Sequence, residues 1–363
     1  MATIYDVARM SGVSPKTVSR VINGDGAVKN TTKESVERAI AELGYVPSTA
    51  ARSMRSNKSG LVGLITGAIS LPPGHTDSSG LPELFIVQGI QKAMEESSKT
   101  LLIADTGGQM ERVPQLIRTF EEHRVEGIIY VADHHRKVSL PPVLQTTKLV
   151  LANCYDDIGT PAVLPNDYQG QFNLVKNLIC KGHRRIAYLS LSQRLDATKQ
   201  RVSGYADALV SEGIDYDPSL LITADIDSPD NDAEVQLLWD AIDRVLALPE
   251  PPTVICFGND RMAMRAYDIL RSRGISLPED LSVVGYDNHK LITRTLRPTL
   301  MSAELPYAAI GIRATELLLG MINGPADAST DPILVSGPVS PGDSVKELPT
   351  PITKLLSIGR TTK

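Results

Sequence analysis

TIYDVARMSGVSPKTVSRVING, residues 3–24, holds two short helical patterns joined by a tight turn. Ile4, Val7 and Ala8 recur at helical spacing, Ser11 to Ser14 interrupt, and Val18, Val21 and Ile22 resume the pattern. Gly12 can take the positive φ that the turn needs, Ser14 is a good N-cap, and Pro15 suits the first helical position, where its missing N–H costs nothing. With Val18, Val21 and Ile22 facing inward, the outer face of the second helix carries Lys16, Thr17, Ser19, Arg20 and Asn23. A helix of this kind lies in the major groove. There Lys16 and Arg20 are expected to donate to base edges, while Ser14, Thr17, Ser19 and Asn23 supply the hydroxyls and amide that grip phosphate. Val36, Ala39, Ile40 and Leu43 predict a third helix that closes a small core over Val7, Val18 and Val21, and Gly44 ends it.

The charge distribution agrees with this reading. The chain of 363 residues has a formal net charge of −5, yet its first 60 residues carry nine Lys and Arg against five acids, net +4, which leaves −9 for the remainder. A basic head on an acidic body suits docking of one end on phosphate. Three widely spaced cysteines, Cys154, Cys180 and Cys256, suggest neither a disulfide framework nor a metal cluster. With no apolar run of membrane-spanning length and no signal-like N-terminus, a cytoplasmic protein without a membrane partner is expected.

Working outward, the chain after Gly60 alternates β-rich runs with amphipathic helical stretches. LVGLIT (61–66), TLLIAD (100–105), VEGIIYVA (125–132) and KLVLAN (148–153) form one set, and RRIAYLS (184–190), SLLITA (219–224), PTVICFG (252–258) and LSVVGYD (281–287) a second. Such alternation predicts parallel sheets covered by helices, here two sheets in two lobes. Ligands of open α/β sheets sit beyond the carboxyl ends of the strands, where Asn153, Asn259, Asp260, Asp287, Asn288 and the helix-opening Arg201 cluster. Amides, a carboxylate and a guanidinium suit hydroxyl-rich ligands, with sugars the leading class. Asn and Asp after strands also cap helices, so each of these residues has a structural reading beside the binding one.

No catalytic constellation appears: the nucleotide-binding glycine patterns, G-x-S-x-G and H-E-x-x-H are all missing, so neither an enzyme nor a cofactor is expected. Asp133, His134 and His135 are read as a solvated loop and not a metal site. A sugar-transport protein would share the two-lobed body but lack a recognition helix.

The head resembles that of the lactose-repressor/galactose-repressor family through TIYDVARMSGVSPKTVSRVING and KESVERAIAELGYVPSTAARSMR (33–55), and the body through KGHRRIAYLS, QRVSGY, the segment 258–288 and the C-terminal GRTT. The resemblance implies an all-α helix-turn-helix head on an α/β two-lobed, type I periplasmic-binding-protein-like body with parallel sheets. The domains would be a head at 1–46, a hinge helix and linker at 47–60, and a core at 61–363. Within the core, the N-lobe would take about 61–163 and 292–322, and the C-lobe about 164–291 and 323–363.

The resemblance further implies a sequence-specific regulator, commonly a repressor, that binds double-stranded operator DNA as a homodimer under control of a small-molecule effector. Thr32 falls on a phosphate-contacting position. Ala51 and Met54 fall in the hinge segment, with Met54 as the minor-groove wedge where the family usually has Leu. Arg201, Asn259 and Asp287 fall on effector-contacting positions, and Asn153 stands where several members have Asp. Lys29 replaces a usual Ser at the start of the third helix, which leaves Asn30 or Thr31 as the expected cap. The extended rim segment 70–85 offers Glu83 as a further contact. The Pro/Gly/Ser-rich tail carries no apolar heptad, so a dimer is expected over a tetramer.

Overall fold

The computed structural model describes residues 2–24, 28–46, 59–67, 69, 82–143, 147–225, 231–324 and 331–349. The expected hinge segment and the C-terminal GRTT lie outside the described residues.

The head consists of α1 (Ile4–Ser11), α2 (Pro15–Ile22) and α3 (Asn30–Leu43). A capping box opens α1: the Asp6 amide donates to Thr3 Oγ1 and the Thr3 amide to Asp6 Oδ2. Gly12, with φ of 68°, ends α1 in the left-handed region that the sharp turn demands. Val7, Val18 and Val36 are fully buried at the meeting point of the three helices. The cap expected on α3 is not seen. Its N-cap is Lys29, which has no acceptor oxygen, while Asn30 and Thr31 already lie inside the helix, too late to cap it.

The body holds two six-stranded sheets. The first has the order β11-β5-β4-β3-β1-β2, from β1 (Leu61–Thr66), β2 (Thr100–Asp105), β3 (Gly127–Lys137), β4 (Lys148–Tyr155), β5 (Ala162–Pro165) and β11 (Ile333–Val335), all parallel. The second has the order β12-β10-β9-β8-β6-β7, from β6 (Ile186–Ser190), β7 (Leu221–Thr223), β8 (Val254–Phe257), β9 (Ser282–Asp287), β10 (Met301–Glu304) and β12 (Val339–Ser340), with only β12 antiparallel. The strands are nearly continuous apolar runs because helices cover both faces. On the first sheet these are α4 (Pro82–Glu95) and α5 (Val113–Glu122), joined later by α11 (Tyr307–Asn323). On the second they are α6 (Asp167–Cys180), α7 (Asp196–Ser211), α8 (Asn231–Leu246), α9 (Asp260–Ser272) and the short α10 (Lys290–Thr295). Separate apolar clusters fill each interlayer.

The lobe boundaries differ from the expected ones. β10 pairs with β9 in the second sheet, so the chain returns to the first lobe after Glu304 and not at 292. β11 then pairs with β5, so the chain leaves the first lobe at 336–338 and not at 323. The physical reason is that a short strand joins whichever sheet offers an open edge, a choice made by partners far away in the chain. The three crossovers are tied together: the Asn166 amide donates to the Val335 carbonyl at 2.8 Å and the Glu304 amide to the Pro338 carbonyl at 2.9 Å.

Candidate DNA and effector sites

On α2, Ser14 caps the helix by accepting from the Thr17 amide at 3.2 Å, and its Oγ lies 3.0 Å from Thr17 Oγ1. Lys16 and Arg20, one turn apart, are both exposed, as is Asn23 at the C-cap, while Thr17 and Ser19 are half-buried beside them. The polar face read from the sequence is therefore one continuous strip, backed by buried Val18 and Val21. Thr32, half-buried in the first turn of α3, belongs to another helix. Ala51 and Met54 lie outside the described residues, and so does the side chain of Glu83.

The four expected effector residues occupy distinct environments. Asn153, near the end of β4, is buried with φ of 60°, and its Nδ2 donates to the Ala132 carbonyl at 3.1 Å. Asn259 is the N-cap of α9, its Oδ1 accepting from the Met262 amide at 2.8 Å, so the capping role open to it in the sequence is realised. Asp287 closes β9 with φ of 110°, a backbone geometry that non-glycine residues adopt only under constraint, and such geometry concentrates at functional sites. Burial pushes its carboxyl well above the usual range; Arg201 opposes this, and Asp260 and Asp167 reinforce it.

Arg201 is the centre of the arrangement. It is buried in α7, where Nε donates to Asp167 Oδ1 at 2.7 Å and Nη1 to the Gly258 carbonyl at 2.9 Å. Its guanidinium stacks 3.7 Å from the centroid of the Tyr286 ring, a cation–π contact in a desolvated setting.

Two partners in this network escaped the sequence reading. Asp167, fully buried in the first turn of α6, holds Arg201 through one oxygen and accepts from His135 Nδ1 at 2.9 Å through the other. His135 does not lie in a solvated loop. β3 runs on through Lys137, with a register shift between Val131 and Arg136 that leaves Asp133 and His134 exposed and turns His135 inward. Because β3 belongs to the first sheet and α6 covers the second, the contact bridges the lobes. A second bridge runs from the Tyr155 hydroxyl to Asp196 Oδ2 at 2.9 Å. The only signal that could have found Asp167 is its place just after β5, at a sheet-to-sheet crossing.

Around Arg201 several buried polar atoms lack a protein partner: His135 Nε2, Tyr188 Oη and Thr198 Oγ1. Native structures keep few such atoms, and each calls for a ligand, an ion or water. Among the described residues no group of His, Cys, Asp and Glu could hold a metal, and no helix is long and apolar enough to cross a membrane.

The chain is 32% identical over 325 residues to the HTH-type transcriptional repressor PurR of Vibrio atlanticus, covering 89% of this chain and 92% of that one. It belongs to the LacI family. The profile of bacterial regulatory proteins of the lacI family matches residues 3–48, and that of the periplasmic binding protein-like domain matches 175–345. Another relative, the ribose operon repressor of Haemophilus influenzae, is 30% identical over 90% of this chain and 93% of its own length. The transcriptional regulator CelR, solved in complex with cellobiose, shares 25% identity over 95% of this chain and all of that one, with a TM-score of 0.57. Membership makes this LacI-family chain a DNA-binding transcription regulator and not an enzyme.

Proposed function

We propose that this chain is a cytoplasmic, homodimeric repressor whose grip on a double-stranded operator is set by a sugar-class effector bound between its lobes. The observation that carries the reading is the join, in one chain, of an exposed Lys16–Arg20 strip to a buried polar cluster centred on Arg201. There a guanidinium has the carboxyls of Asp167 and Asp287 within electrostatic reach, and the hydroxyls of Tyr188 and Thr198 lack partners. Arg201, Asp287 and Asn153 are assigned to the effector. Asn259 is assigned to holding the loop after β8 in place, and to the effector through whatever its cap leaves over. The repressor names of the relatives and the cellobiose bound to CelR support the reading.

Effector binding changes operator affinity only as far as it favours one lobe arrangement over the other, and coupling of about 1–3 kcal/mol is usual. A thermal-shift screen of purified protein against sugars, sugar phosphates and nucleobases tests this, since a ligand of the native state raises its apparent stability. A sugar hit that Asp287→Ala abolishes supports the assignment. A hit unaffected by Asp287→Ala removes the cleft as the site, and a hit confined to nucleobases removes the sugar class.

A further inference from the structure

The charge inventory of the cleft bears on what it accepts. Among the described residues Arg201 is the only Arg or Lys in the buried core, so it is the cation that an anionic effector would seek. Its guanidinium already has a carboxylate against it, since Asp167, with no exposed surface, takes Nε at 2.7 Å. Asp167 is itself fixed by His135, so it has no other route to a partner or to water. Four basic side chains flanking these elements also pair with carboxylates. Arg136 pairs with Asp133 and Lys199 with Asp196 at 2.9 Å, and Arg261 pairs with Glu234 and Lys290 with Glu304 at 3.7 Å.

A phosphate or carboxylate brought to Arg201 would set two anions against one guanidinium, with the Asp287 carboxyl nearby. Burying such an unbalanced charge is strongly unfavourable. Among the buried groups without a protein partner are one ring nitrogen of His135 and the hydroxyls of Tyr188 and Thr198. Tyr188 stands within electrostatic reach of Arg201, Asp167 and Asp287. Thr198 lies one turn before Arg201 on α7. A ligand hydroxyl can donate to or accept from each of them.

We propose that Asp167 is a built-in counter-anion that makes this cleft select uncharged, hydroxyl-rich effectors and reject their phosphorylated or carboxylated forms. The proposal rests on the reading that Arg201 and Asp287 line the effector site, and deepens it by naming the charge class.

The test uses full-length protein, freed of ligand by dialysis, with inorganic phosphate as the probe. Thermal unfolding is followed through Trp239, the single tryptophan, which sits in the second lobe. Wild type and the charge-neutral double variant Asp167→Asn/Arg201→Gln should respond alike, any common response arising elsewhere. Asp167→Asn alone should gain a saturable stabilisation, with phosphate bound about tenfold or more tightly than by the other two.

A wild-type response exceeding that of the double variant overturns the proposal, as does a cooperatively folded Asp167→Asn that gains nothing. Should Asp167→Asn fail to fold, wild type against the double variant decides the matter. A sugar phosphate or sugar acid that stabilises wild type through Asp287 overturns the proposal yet leaves the cleft as the effector site. A hit indifferent to Asp287→Ala fails the cleft reading itself.

Discussion

His135 and Asp167 lie 32 residues apart in the chain and 2.9 Å apart in space, one on a strand of the first sheet and the other on a helix over the second. Both are buried, and Asp167 also holds Arg201, so one carboxylate joins the two lobes to the centre of the candidate effector site. An ionised group inside a protein persists only when its lone pairs are met, and here a guanidinium and an imidazole meet them.

Removing the imidazole is therefore costly. His135→Ala should lower the free energy of unfolding by about 1–3 kcal/mol, the usual loss when a buried charged acceptor is deprived of a donor. Urea unfolding of wild type and variant at neutral pH measures the difference. A change in midpoint within error would mean that the contact contributes nothing to holding the lobes together.

The same carboxyl predicts an acid dependence. Burial pushes Asp167 up, but Arg201 and His135 more than offset this and hold it below the usual carboxylate range. A carboxyl depressed in the folded state contributes stability above its unfolded value and loses it as the pH falls through the folded value. The stability gap between wild type and Asp167→Asn should thus be full at neutral pH and close below about pH 4. Melting curves of both proteins across the acid range would show it, and a gap that widens on acidification would reverse the assignment.

Gly170 offers a steric probe. A Cβ there would come within 2.1 Å of Tyr286 Oη, whose ring covers Arg201. Alanine normally improves a helix, yet Gly170→Ala should destabilise by about 1–3 kcal/mol through overpacking, and should displace the aromatic face from the guanidinium. Calorimetry gives the first effect and loss of effector response the second. A stabilised Gly170→Ala would show that Tyr286 is free to move.

In the head, two substitutions on one helix should separate folding from reading. Ser14→Ala removes the cap on the Thr17 amide and should cost the head about 1 kcal/mol of stability. Arg20→Ala should leave stability near wild type but relax operator preference at one base position by about 1–3 kcal/mol. Selection of binding sites from random duplexes distinguishes them; an unchanged sequence preference in Arg20→Ala would take that residue off the bases.

What could be read directly was what depends on near neighbours. The helices of the head announced themselves in the spacing of Val7, Val18, Val21 and Val36 and in the Gly12–Ser14–Pro15 turn, because caps and apolar stripes act within a few residues. Eight strands, β1 to β4 and β6 to β9, were visible as apolar runs for the same reason. The short strands β5, β10, β11 and β12 were not, since two to four residues outside a longer apolar run carry no periodicity of their own and take their sheet from the partner they meet. Asn259 shows the limit for single residues: binding and capping use the same amide, and only its 2.8 Å bond to Met262 distinguishes the second.

The sequence by itself determined a basic helix-turn-helix head, a two-lobed α/β body and the strand ends where a ligand would lie, all of them local patterns repeated along the chain. Only the tertiary structure decided that His135 turns inward, that Asp167 neutralises Arg201 and that the lobes exchange chain at 304 and 336–338. Those are pairings between distant segments, and a buried charge reveals its partner only when the folded chain has excluded the water that would otherwise serve it.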